Sequence, residues 1–137
     1  MIAVALVDAG LEVVLLDRRE VAHGSTAGNT GLMLYETDVM LHRLARRFGR
    51  ARAERTFQRC RAAIDVLERN VRRSRLDCGF ERKTSLYVAA SAGHVPGLRL
   101  EFAARCAAGF EAAWWPRRRI ASESTLPHAA AIASPGA

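Results

Sequence analysis

Four consecutive apolar residues, Val13 to Leu16, stand between Gly10 and Asp17, and this arrangement restricts the folds open to the chain more than anything else in it. Gly10 tolerates positive φ and so ends a helix cheaply. Before it, Ile2 to Ala9 is short, nearly all apolar and rich in alanine, as suits a helix packed closely on a sheet. The run Val13–Leu16 fits a strand covered on both faces, as in a parallel sheet. Asp17 then falls at the carboxyl end of that strand. Arg18 and Arg19 follow, and after them a loop of small and hydroxylated residues: Gly24, Ser25, Thr26, Gly28, Asn29, Thr30 and Gly31. Open α/β sheets bind ligands at the carboxyl ends of their strands. A carboxylate placed there accepts two hydrogen bonds from a ribose diol, and small residues beside it let backbone N–H groups approach a phosphate or a flat ring. The pattern predicts half of a dinucleotide site.

The same residues carry a resemblance. Helix, Gly10, strand and Asp17, continued by GSTAGNTGL, resemble the amino-terminal region of FAD-dependent oxidoreductases of the D-amino-acid oxidase type, a group that includes glycine and sarcosine oxidases and glycerol-3-phosphate dehydrogenases. Downstream, LDCGFERKTSLYVAAS resembles that family's first excursion into its substrate domain, and AAGFEAAWW its next strand. The resemblance implies an α/β fold: an incomplete Rossmann-like FAD-binding segment followed by helices and part of an α+β substrate-domain sheet. It implies FAD as cofactor and a small amine, amino acid or hydroxy compound as substrate. The family's opening strand and GxGxxG turn have no counterpart before Ile2. The chain is therefore expected to be an amino-terminal part of such an enzyme, inactive on its own.

The resemblance also distributes roles. Asp17 would take the ribose, and Arg18 or Arg19 would flank the adenine or pair with a phosphate. Gly24, Ser25 and Thr26 would lie at the phosphates, with Asn29 and Thr30 toward the flavin. The plainer reading of all these residues is a polar turn, since Gly, Ser, Thr and Asn form turns for their own reasons. Arg82 is placed where a substrate carboxylate could be held. No catalytic residue is legible.

Charge raises a rival reading. The net charge is +7, and Lys83 is the only lysine. Between His42 and Arg75, twelve arginines against Glu54, Asp65 and Glu68 leave a local balance of +9. Such a block suits nucleic acid or acidic lipid. No aromatic residues interleave the arginines as a stacking surface requires, so a solvated helical face is favoured over nucleic-acid binding. A small basic helical nucleic-acid-binding protein remains the alternative, along with a truncated reading frame without function. Cys60, Cys78 and Cys106 are odd in number and widely spaced, which points to a reducing cytoplasm rather than a disulfide framework or a metal site. The start has no basic n-region, and Asp8 and Glu12 interrupt its apolar run, so it does not read as a signal peptide.

Periodicity organises the remainder. Thr37 or Asp38 is placed to cap a helix carrying Leu41, Leu44, Ala45 and Phe48, closed by Gly49. A longer helix runs from about Ala51 to Arg73, with Phe57, Cys60, Ile64, Leu67 and Val71 on one stripe. Its pairs Arg61–Asp65 and Glu68–Arg72 have the spacing of helical ion pairs. Two short strands are expected around an Arg82–Ser85 turn, then a helix from about Ala92 to Ala108 burying Val95, Leu98, Phe102 and Cys106. Phe110 to Trp115 reads as a strand stopped by Pro116. The boundary between cofactor region (1–75) and substrate-domain segment (76–137) is placed near Arg75.

Overall fold

The computed structural model describes residues 2–75 and 77–136, which separate into two compact units, one ending at Leu32 and the other beginning at Met33. Each is built on different physics.

The first unit opens with helix α1 (Ile2–Asp8). Its end is a Schellman motif: the Gly10 N–H reaches the Val7 carbonyl, the Leu11 N–H reaches the Leu6 carbonyl, and Gly10 has φ +79°. Glycine accepts that backbone without a steric penalty, which is the role its position implied. The strand expected at Val13–Leu16 is absent; these residues belong to no regular element. A strand is stable only when its backbone groups pair with a neighbour, and residues 2–32 contain no second strand. Val14, Leu15 and Leu16 are consequently 77%, 80% and 89% exposed. A single 3₁₀ turn, Gly24–Thr26, follows.

The second unit holds helices α2 (Leu41–Phe48) and α3 (Arg50–Ser74), strand β1 (Thr84–Val88), helix α4 (Val95–Ala107), strand β2 (Ala113–Pro116), helix α5 (Arg117–Glu123) and strand β3 (Ala130–Pro135). The sheet order is β1-β3-β2, antiparallel throughout, so the last strand in sequence is the central one. Ile132 lies between Tyr87 on β1 and Trp114 on β2. With Ala89, Leu98 and Ala130 it forms one buried cluster, against which Tyr87, Phe102 and Trp114 also pack. A second cluster joins Tyr35, Leu41, Ala53, Phe57, Ile64 and Phe110. There Tyr35 stacks on Phe110 at 5.4 Å, and Phe57 meets both rings edge-on at 6.4 and 6.0 Å. Such offset and edge contacts add to the stabilisation from burial alone.

Several expectations are corrected. Only one strand forms in the 77–90 stretch, because Arg82 is drawn onto the acids of α3 and cannot turn a hairpin. The strand read at 110–115 is shorter, and Pro116 closes it on an edge position, where no ladder donor is needed. α4 packs Val95, Leu98 and Phe102 inward as expected, but it also buries Glu101 and Arg105 and leaves Cys106 exposed. Helix α5 and strand β3 had not been anticipated. The packing division after Leu32 is a different kind of boundary from the functional one placed near Arg75 and leaves it untested. Among the described residues no helix is long and apolar enough to cross a membrane.

Candidate functional site

In the first unit, the loop after Val13–Leu16 is organised by its own side chains. Asp17 Oδ1 accepts the Arg19 N–H at 2.9 Å, a local turn that fixes one carboxylate oxygen beside the backbone. The Arg19 guanidinium then lies 3.5 Å from the position a Cβ would occupy on Gly24, whose φ is +77°. Asp17, Arg19 and Gly24 are thus brought together. From Gly24 the chain enters the 3₁₀ turn, and the Gly28 and Asn29 N–H groups return to the Ser25 and Thr26 carbonyls. Asn29 Oδ1 accepts the Gly31 N–H at 2.7 Å, and Thr30 Oγ1 accepts the Leu32 N–H at 3.5 Å. Asn29 and Thr30 therefore shape the exit of the loop. Arg18, Ser25 and Thr26 are exposed with the rest of it.

The electrostatically demanding part of the molecule lies in the second unit, among residues that periodicity did not single out. Glu101 and Arg105, one turn apart on α4, are both buried. Arg105 Nε donates to Glu101 Oε1 at 2.9 Å. Its Nη1 donates to Glu36 Oε1 at 3.0 Å and to Ser134 Oγ at 3.1 Å. Glu36 Oε1 also accepts the Ser85 hydroxyl at 2.7 Å. Glu101 Oε1 also accepts the Leu41 N–H at 3.0 Å, and Oε2 receives the His42 N–H at 3.0 Å and His42 Nδ1 at 2.9 Å. Because a carboxylate only accepts, the His42 proton toward Glu101 sits on Nδ1.

The amino end of α2 is thus capped by Glu101 from 60 residues away. Thr37 instead bonds the Val39 carbonyl. Burial pushes the Glu101 carboxyl up, but hydrogen bonds from the His42 N–H, Arg105, the His42 ring and the Leu41 N–H outweigh it and hold it below the usual carboxylate range. Burial raises the Tyr35 phenol, which serves the core.

Arg82 is committed elsewhere. It donates to Asp65 at 2.6 Å, to Glu68 at 2.8 and 3.0 Å, and to the Gly136 carbonyl at 2.8 Å. The Arg82 hydrogen bond lowers the Glu68 carboxyl. The expected Glu68–Arg72 pair forms at 2.6 Å, while Asp65 is taken by Arg82. An arginine with three internal partners is a tie between α3 and the end of β3, not a free anchor for a substrate carboxylate.

The loop thus places a carboxylate, arginines and hydroxyls around a left-handed glycine. The model of the family described as FAD dependent oxidoreductase matches residues 1–137. The chain belongs to that family. No curated protein and no solved structure matches it.

Proposed function

We propose that this chain contributes the adenine-nucleotide half of an FAD site to an oxidoreductase acting on a small amine, amino acid or hydroxy compound in the cytoplasm. The family match over residues 1–137 carries the reading. The donor set in the loop suits the cofactor's adenosine end, and Gly24 at φ +77° is a position where a side chain would be strained. Asp17 accepts the ribose hydroxyls, its rotamer held by the Arg19 N–H. Ser25 and Thr26 donate to the pyrophosphate from the turn that starts at Gly24. Arg18 or Arg19 neutralises a phosphate or covers the adenine, and Asn29 and Thr30 hold the loop exit toward the flavin end. When bound, FAD supplies the acceptor for a hydride leaving the substrate carbon.

The test is binding. FAD and ADP-ribose are titrated into the chain by calorimetry, with riboflavin as a control lacking the adenine nucleotide. The first two bind and riboflavin does not, and Asp17→Ala weakens both by about tenfold or more, the loss of charge-assisted hydrogen bonds. Equal affinity in Asp17→Ala, or no binding of FAD, removes the residue assignment and leaves family membership standing.

A further inference from the structure

Seven arginines lie between Arg43 and Arg59, and Glu54 is the only acid among them. Elsewhere in the second unit arginines are tied to carboxylates: Arg72 to Glu68, Arg82 to Asp65 and Glu68, Arg105 to Glu36 and Glu101, Arg119 to Glu123. Within the 43–59 stretch only Arg50 is so tied, to Glu54. Arg43, Arg46, Arg52, Arg55 and Arg59 are exposed and have no ion-pair partner among the described residues. Helical spacing gathers them. Leu41, Leu44 and Ala45 turn one face of α2 to the core, which leaves Arg43 and Arg46 on its outer face. On α3, Ala53, Phe57, Cys60 and Ile64 face inward, so Arg52, Arg55 and Arg59 share an outer stripe about 10 Å long.

Gly49 alone joins the two helices, at φ +86°, and the two sets of arginines flank that corner. Phe48 sits at the corner, 48% exposed, with the Arg47 guanidinium 5.1 Å from its ring centroid. Like charges this dense repel one another, and a surface of many fixed negative charges answers them together. The exposed ring selects which surface. Arginines combined with a phenylalanine suit the headgroup layer of an anionic bilayer, where cations meet lipid phosphates and the ring passes below them. A single-stranded nucleic acid requires rings set among the arginines, and the outer stripe of α3 has none exposed. We propose that the α2–α3 corner docks on an anionic lipid surface, with Arg43, Arg46, Arg52, Arg55 and Arg59 at the headgroups and Phe48 inserted among them. The docking is peripheral, since among the described residues no helix is able to cross a membrane. It uses no residue assigned to the flavin and is tested without it, so the two readings fail separately.

The full chain is sedimented with vesicles of phosphatidylcholine, with or without about 30% phosphatidylserine, in about 0.1 M NaCl. It pellets with the serine-containing vesicles only, and about 0.5 M NaCl releases it. Arg52→Gln, Arg55→Gln and Arg59→Gln combined weaken binding about a hundredfold, because each arginine near such a surface contributes about fivefold. Arg117→Gln with Arg118→Gln, exposed on α5, changes it by about twofold or less. Phe48→Ser weakens it several-fold and leaves the salt dependence as it was. If the triple variant loses its helical circular dichroism, Arg43→Gln with Arg46→Gln replaces it and costs about 25-fold. Absent pelleting, equal pelleting with phosphatidylcholine alone, full binding by the corner variants or by Phe48→Ser, or an equal loss in the α5 pair overturns the proposal. So does tighter binding to a single-stranded oligonucleotide at the same phosphate concentration, which would make the face a nucleic-acid surface.

Discussion

The two units spend their polar residues in opposite ways. Every hydrogen bond of the loop from Asp17 to Thr30 spans a few residues and lies in the open, and no residue from 2 to 32 is buried. From Met33 onward, Glu101 and Arg105 reach 59 to 69 residues along the chain and are shielded from water. A short-range exposed hydrogen bond shapes a loop but adds little to stability, whereas removing the partner of a buried charge is strongly destabilising. The first unit therefore has shape without a core, which suits a surface that a ligand completes. The second has a core whose polar members carry its specificity.

The sharpest way to break this contrast is to remove the guanidinium. Arg105→Met leaves Glu36 and Glu101 buried without the guanidinium they share and should cost about 3–5 kcal/mol in urea unfolding followed by tryptophan fluorescence. A loss below about 1 kcal/mol would show that water reaches the cluster and that the two units differ less than their burial implies.

Next in size is the pH dependence. The folded carboxyl of Glu101 lies below its ordinary value of 4.5. A depressed carboxyl contributes stability that is present above the unfolded pKa and lost as pH falls through the folded one. The urea midpoint should therefore hold near neutrality and drop from about pH 4.5 downward. Glu101→Gln should lower the unfolding free energy at pH 7 by about 1–3 kcal/mol and flatten the acid limb. An unchanged acid limb in Glu101→Gln would assign the fall to other carboxylates.

What could be read beforehand follows the same division. Local signals were sound: Gly10 ends α1, Gly49 ends α2, and Phe57 and Ile64 mark the inward stripe of α3. Pairings set by distant residues were not legible. Nothing near Leu41 shows that its N–H belongs to Glu101. The Glu101–Arg105 pair has the spacing of an ordinary helical ion pair, and its only available signal is that both fall on the same face as Leu98. β3 was hidden by composition, because alanine is depleted in strands, although a short apolar run bounded by His128 and Pro135 is what a fully buried strand resembles. Val13–Leu16 failed in the opposite direction. Its strand signal was strong, and no partner exists in residues 2–32 to realise it.

A smaller effect is expected at Arg82. Arg82→Ala removes the tie from Asp65 and Glu68 to the Gly136 carbonyl. The side chain is 26% exposed, so solvent screens part of the loss, and about 1 kcal/mol is expected in the same urea experiment. If Arg82 held a substrate carboxylate instead, stability would be untouched.

The smallest change in stability should come from the residue on which the flavin reading leans most. Asp17→Asn keeps a side-chain oxygen for the Arg19 N–H, so the turn survives, and stability should move by less than about 0.5 kcal/mol, as for exposed surface positions generally. The charge presented to a ribose diol is nonetheless gone, and affinity for ADP-ribose should fall several-fold while unfolding is unchanged. That dissociation of binding from stability is what a coreless ligand-completed unit requires. A drop in stability with no change in ADP-ribose affinity would reverse the comparison, making the loop a structural turn and moving the nucleotide elsewhere.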